Sequence, residues 1–278
     1  MNDKDSRHIL ALSGGKDSAA LAVYMKDRVP NMEYVFCDTG KELQETYDYL
    51  GLLEVYLNRP IQRLKAEDNG RELSFDDLLA IRRGFLPSPQ MRWCTEYLKI
   101  KPYERYIGDD RIISYVGIRA DEGHRKRYIS TKPNIVPRYP FVEDGIRRKD
   151  VIDILNDTYV GGRPLGLPKY YQWRSRSGCY FCFFQQRREW VGLLETHPEL
   201  FRKAMEYEKE DPLTGERYTW VQGESLEELS RPERIEQIKR EFAERNASAI
   251  SRAAELRLEE VFATEEAAGS AGCLICHL

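Results

Sequence analysis

The residues best suited to chemistry come early. Residues 13–18 read Ser-Gly-Gly-Lys-Asp-Ser and follow a short apolar run, His8-Ile-Leu-Ala-Leu12. The apolar run predicts a buried strand. Gly14 and Gly15 let the backbone approach an anion closely, and a helix opening at Asp17 and Ser18 would aim its free N–H groups at the same point. Lys16 adds positive charge, and Ser13 and Ser18 add hydroxyls. The unit is therefore a phosphate cradle, although the G-x-x-x-x-G-K-[ST] spacing is absent.

Three further groups carry chemistry. Asp38-Thr39-Gly40-Lys41-Glu42 ends a second apolar run, 32–37, and suits sugar hydroxyls or a cation. Arg119, Arg125 and Arg127 follow a strand expected over 111–118, and their guanidinium forks match phosphate or sulfate. Asp121 and Glu122 would hold a cation or those arginines. The six cysteines are Cys37, Cys94, Cys179, Cys182, Cys273 and Cys276, and the last four form two C-x-x-C pairs. Such pairs point to metal or redox chemistry more than to structural disulfides. A helix start near Cys94 would lower the pKa of its thiol, which suits a metal ligand or a sulfur carrier.

The elements that must position these groups follow from patterning. Strands are expected over 8–12, 32–37, 55–58 or 61–64, and 111–118. Helices are expected from residue 17, over 42–53, 75–81 and 149–155, and through most of 187–265. Tyr139-Pro-Phe141 marks the start of a new unit, and the Gly/Pro-rich stretch 161–171 reads as a loop. Strands alternating with helices imply an α/β fold with a doubly wound, mostly parallel sheet. In such a sheet ligands sit beyond the carboxyl ends of the strands. That rule brings residues 13–18 beside residues 38–42.

Bulk properties narrow the class. The 278 residues are 41% hydrophobic and 32% charged, with a formal net charge of −3. Charge is uneven: residues 1–110 carry 16 Lys and Arg against 19 Asp and Glu, residues 111–190 carry 16 against 8, and residues 191–278 carry 11 against 19. The basic middle suits polyanionic ligands, while the whole-chain balance argues against strong nonspecific nucleic-acid binding. The polar start and short apolar runs predict a cytoplasmic protein with no secretory signal and no membrane span.

The six residues 13–18 resemble the pyrophosphate loop of the N-type ATP pyrophosphatases. The order of the other motifs is similar to the phosphoadenylyl-sulfate reductase branch of that family: loop, D-T-G at 38–40, single cysteine at 94, G-I-R at 117–119, G-C-x-x-C at 178–182. This co-linearity spans residues 8 to about 186. The resemblance implies an adenine nucleotide alpha hydrolase-like domain over 1–186, followed by a helical C-terminal region, 187–278, with a cysteine-bearing tail. It implies ATP cleavage to AMP and pyrophosphate, with Mg2+ on the phosphates. Ser13, Gly14, Gly15, Lys16, Asp17 and Ser18 would grip the phosphates, with Ser13, Lys16, Asp17 and Arg119 as the catalytic set. Asp38, Thr39 and Glu42 would lie near the nucleoside, and Arg125 and Arg127 would clamp charge. Cys179 and Cys182 would bind a [4Fe–4S] cluster, or zinc as the alternative, with Cys94 third and Cys276 or Cys273 fourth.

The R-S-G-C-x-F-C-x-F stretch, residues 176–184, is similar to the sulfur-transfer members of DNA phosphorothioation systems. That likeness implies a cysteine desulfurase as sulfur donor and DNA, or a DNA-modification complex, as partner. Two departures matter. Trp93 stands where iron–sulfur members carry a second cysteine, and the ending Cys276-His277-Leu278 only loosely matches the E-C-G-[IL]-H tail of the reductases. A sulfonucleotide reductase and a nucleotide-binding regulatory protein with a zinc site are the rival expectations.

Overall fold

A computed structural model of the chain describes residues 6–123, 132–210 and 215–255, with side chains to residue 248. Five parallel strands form one sheet. They are β1 (Arg7–Ala11), β2 (Met32–Cys37), β3 (Ile61–Leu64), β4 (Ile112–Tyr115) and β5 (Ile135–Arg138), in the order β3-β2-β1-β4-β5. The order reverses direction between β1 and β4. The carboxyl ends of those two strands therefore frame the crevice where an open α/β sheet takes its ligand.

The central strands β1, β2 and β4 are largely apolar because both faces are covered, whereas the outer strands β3 and β5 carry exposed polar residues. On one face Leu10, Leu12, Tyr34 and Phe36 pack against α1 (Lys16–Met25), α2 (Gln44–Leu57) and a later helix, α5 (Arg148–Asn156). The alternate residues Ile9, Ala11, Val35 and Cys37 face Tyr103 and Ile107 of α4 (Lys101–Ile107) on the other. Cys37 is buried, and burial pushes its thiol up to about 11, so it is a packing residue.

The expected α/β fold is present, with differences in detail. Residues 55–58 belong to the end of α2, which stops at Asn58 in the left-handed conformation (φ 50°), so Ile61–Leu64 supplies the third strand. Helix α3 (Phe75–Ile81) begins where expected because Ser74 and Asp77 form a capping box. Residues 139–141 do not open a separate unit. Phe141 is fully buried in the core beneath α1 and meets Tyr24. Cys94 lies in a short helical turn, Trp93–Thr95, that runs through a π-helical turn, Glu96–Ile100, into α4. Pro102 cannot donate to a carbonyl one turn back, and the wide turn precedes it.

Beyond the sheet, α6 (Arg187–Thr196), α7 (Pro198–Met205) and α8 (Pro232–Glu255) give the helical C-terminal part. A two-stranded antiparallel ribbon, Lys209–Glu210 with Arg217–Tyr218, lies between α7 and α8. A second core joins this part to the earlier chain: Phe75, Trp93 and Phe181 pack with Trp190, Phe201 and Trp220. The ring of Phe181 stacks on Trp220 at 4.9 Å and lies 4.4 Å from Phe75. Among the described residues no helix is long and apolar enough to cross a membrane.

Candidate phosphate site

The turn after β1 is held by its own side chains. Ser13 N–H donates to Ser18 Oγ at 3.1 Å, Gly15 N–H donates to Ser13 Oγ at 3.3 Å, and Ser18 Oγ–H donates to Gly15 O at 3.1 Å. Gly14 has φ +74°, and a Cβ there would overlap Thr46 Cγ2, so the position requires glycine. Helix α1 begins at Lys16, and its N-cap residue, Gly15, offers no side-chain cap. Its first amides face the turn, which is the geometry that favours bound phosphate.

Charge beneath the turn is paired. Asp17 Oδ1 accepts from Arg119 Nη1 at 2.7 Å, and Asp17 Oδ2 meets Lys16 Nζ at 3.1 Å. Arg119 is 2% exposed. Its Nε also donates to Asp121 at 3.0 Å, and the Glu122 carboxylate accepts the Arg119 backbone N–H at 3.1 Å. Of the two roles open to Asp121 and Glu122, they take that of holding the arginine. Arg119 thus positions Asp17 and the loop from below. Burial pulls the Lys16 ammonium down, but the adjacent Asp17 carboxylate and Tyr171 outweigh it and the pKa is raised, so Lys16 is cationic. Gly117 permits the close approach of the two strand ends, because a Cβ there would lie 3.1 Å from the Asp17 carbonyl carbon and oxygen.

Residues 38–42 stand beside this loop, as the strand-end rule requires. Asp38 is locked, its Oδ1 accepting from Gly40 N–H at 2.9 Å and from Tyr47 O–H at 2.7 Å. Thr39 Oγ1–H donates to Glu42 at 2.7 Å and also meets Cys179 Sγ at 3.2 Å. Glu42 is buried, and burial raises its pKa. Burial and then the Glu42 charge likewise raise the Cys179 thiol. The C-x-x-C turn is docked on this strand end by a bridge between Glu42 and Cys179, and Tyr180 N–H donates to Lys41 O at 2.9 Å. Arg174, 2% exposed, holds the same turn by donating to Gly178 O at 2.9 Å and Cys179 O at 2.7 Å. Gly178 sits at φ +132°, which only glycine adopts without strain.

The stretch 161–171, read from sequence as a loop, and Ser177, within the 176–184 motif, both reach the phosphate loop. Tyr170 O–H donates to Gly14 O at 2.7 Å, Tyr171 Oη accepts from Lys16 N–H at 3.1 Å, and Ser177 Oγ meets Ser13 Oγ at 3.3 Å. The adjacent tyrosines ahead of the G-C-x-x-C were the available signal. Cys179 lies beside Thr39 and Glu42. Among the described residues no group of three or more His, Cys, Asp or Glu side chains stands close enough together to hold a metal ion. Arg125, Arg127, Cys273 and Cys276 lie outside the described residues.

With this geometry in place, similarity to known proteins can be weighed. Residues 7–135, which include the loop, the D-T-G segment and Arg119, match the family described as the phosphoadenosine phosphosulfate reductase domain. Two uncharacterized proteins of Methanocaldococcus jannaschii are 30% identical over 142 residues and 24% identical over 225 residues, covering 46% and 74% of this chain. The chain spans only 28% and 50% of their lengths. An uncharacterized protein of Escherichia phage 186 is 23% identical over 254 residues, covering 73% of this chain and 74% of its own length. A crystal structure of phosphoadenylyl-sulfate reductase from Candida auris, a phosphate complex, aligns with 62% of this chain and 81% of its own, with a TM-score of 0.48 and 12% identity.

Proposed function

We propose that this protein, whose residues 7–135 match the phosphoadenosine phosphosulfate reductase domain family, binds ATP and cleaves it between the α- and β-phosphates to activate an acceptor for sulfur transfer. The observation that carries the reading is the loop 13–18 at the sheet's switch point. It pairs a helix N-terminus with a buried Lys16–Asp17–Arg119 ion set.

The chemistry divides among named groups. An acceptor oxygen attacks the α-phosphorus, and the bond from that phosphorus to the bridging oxygen breaks and releases pyrophosphate. The loop amides and the hydroxyls of Ser13 and Ser18 hold the departing phosphates in line, and Lys16 offsets the charge that develops on them. Asp17 fixes Lys16 and is fixed by Arg119, so neither charge has to be oriented at the moment of reaction. Thr39 and Glu42 stand on the nucleoside side. Magnesium enters as part of the substrate, on the phosphates. A sulfur nucleophile then displaces AMP from the adenylated acceptor. A cysteine desulfurase supplies that sulfur as a persulfide: its outer sulfur attacks, AMP leaves with the acceptor oxygen, and an external thiol reductant cleaves the remaining sulfur–sulfur bond and is itself oxidised to a disulfide. A DNA backbone in a modification complex is the acceptor we favour.

The test is turnover of α-labelled ATP with magnesium under anaerobic conditions, with and without a desulfurase and cysteine. AMP and pyrophosphate are expected, lost on Ser13→Ala. A second reading is favoured by the description of the matched family: thiol-dependent reduction of a sulfonucleotide. Sulfite release from an adenylyl sulfate, with no AMP from ATP, would establish it instead. Nucleotide binding with neither product would leave a regulatory binding protein.

A further inference from the structure

Three hydroxyls from one short segment land on three residues of the phosphate loop, Ser13, Gly14 and Lys16. Tyr170 donates to Gly14 O, Tyr171 takes the Lys16 N–H, and Ser177 lies against Ser13 Oγ. The contact is close. A Cβ added to Gly15 would lie 2.7 Å from Ser177 Oγ and 3.1 Å from Tyr171 Oη. The Tyr171 ring also lies 5.3 Å below the Lys16 ammonium. The Lys16 amide is one of the helix-terminal donors that a phosphate oxygen would use. In this structure that donor already has an acceptor.

The same segment is tied to the cysteines. Its far end carries Arg174, whose guanidinium holds the carbonyls of Gly178 and Cys179, and Cys179 bridges to Glu42. Its middle carries Trp173, packed so tightly on α6 that a Cβ on Gly192 would lie 2.8 Å from Trp173 Cβ. A shift at Tyr171 is therefore passed along a short, stiff path to the C-x-x-C turn.

We propose that residues 169–179 form a polyphosphate-responsive strap, in which the hydroxyls of Tyr171 and Ser177 occupy phosphate-oxygen positions and are displaced by an incoming pyrophosphate group. The inference rests on the nucleotide reading above and adds to it two loop-facing residues and a route from phosphate occupancy to the cysteines. In the arrangement described here the hydroxyls pair with buried loop groups. When phosphate enters, its oxygens take over those bonds, the strap withdraws, and the turn carrying Cys179 and Cys182 changes its exposure.

Inorganic pyrophosphate titrated into the full chain tests this, together with the alkylation rate of Cys182 by iodoacetamide. Tyr171→Phe keeps the ring and removes only the competing oxygen. It should bind pyrophosphate about 3- to 10-fold more tightly than the unaltered chain, the size of one hydrogen bond released from competition. In the unaltered chain pyrophosphate should change the Cys182 alkylation rate at least about twofold, and Tyr171→Phe should show part of that change without ligand. Weaker or equal pyrophosphate binding by Tyr171→Phe would overturn the strap and make Tyr171 a phosphate ligand or a bystander. Alkylation indifferent to pyrophosphate would overturn the coupling. If neither protein binds pyrophosphate, and Lys16→Ala behaves the same, both the strap and the nucleotide reading fail. Binding by the unaltered chain that is lost in Lys16→Ala, without any Tyr171 effect, sinks the strap alone.

Discussion

The phosphate loop and the cysteine turn stand side by side, yet they are held in different ways. The loop's turn is closed locally: Ser13, Gly15 and Ser18 bond to one another within six residues, and Asp17 pairs with the adjacent Lys16 as well as with Arg119 from beyond β4. The cysteine turn is assembled from a distance. Glu42 and Thr39 come from the end of β2, Arg174 from the segment before it, and the packing around Phe181 from Phe75 and Trp220. A site made of local bonds is prebuilt for its ligand. One made of long-range contacts responds to what its neighbours do.

The difference can be broken first at the loop's charge. Asp17→Ala removes the shared partner of Lys16 and Arg119 and leaves a buried guanidinium poorly compensated. Urea unfolding should show a loss of about 3–5 kcal/mol, and nucleotide binding should disappear with it. Gly117→Ala should act next. Its Cβ would press on the Asp17 carbonyl and lie 3.3 Å from Ser18 N. A cost of about 1–3 kcal/mol is expected, with nucleotide affinity reduced about tenfold by the displaced loop; calorimetric titration measures both the affinity and the stoichiometry. Arg174→Met sharpens the other side. It frees two carbonyls and should cost about 2 kcal/mol, while raising Cys182 alkylation and leaving Ser13–Ser18 geometry, and hence loop binding, largely intact.

The smallest effect is a pH dependence in the distant packing. Glu208 is pushed up from its usual carboxylate value by burial, despite accepting the backbone N–H groups of Trp220 and Leu226. A carboxyl raised in the folded state stabilises most below its unfolded value of 4.5 and loses that contribution as pH rises through the folded value. Glu208→Gln should flatten the decline of stability above pH 4.5 measured by thermal melts across pH.

What could be read from sequence follows the same division. The loop 13–18, β2 and the capped helix α3 are specified by neighbouring residues, and their placement matches the sequence pattern. Arg119 was legible as a functional residue, but its inward pairing with Asp17 was not, since the partner is about a hundred positions earlier in the chain. The contacts of Tyr170 and Tyr171 were not legible because Gly- and Pro-rich sequence says only that the chain turns, and Ser177 was read only as part of the cysteine motif. Which residues it turns onto is a tertiary fact. The cysteines illustrate the reverse: a spacing that suits metal ligation is compatible with a turn docked on a threonine and a glutamate, and periodicity cannot tell the two apart.

The account's central claim is that residues 13–18 are a phosphate site that stands on its own. Calorimetric titration of magnesium–ATP into the full chain, into Lys16→Ala and into the double variant Cys179→Ser, Cys182→Ser tests it directly. The account predicts one site per chain, lost in Lys16→Ala and kept within about threefold in the cysteine variant, since removing distant contacts perturbs a locally bonded site little. Binding that survives Lys16→Ala, or that vanishes with the cysteines, would contradict it.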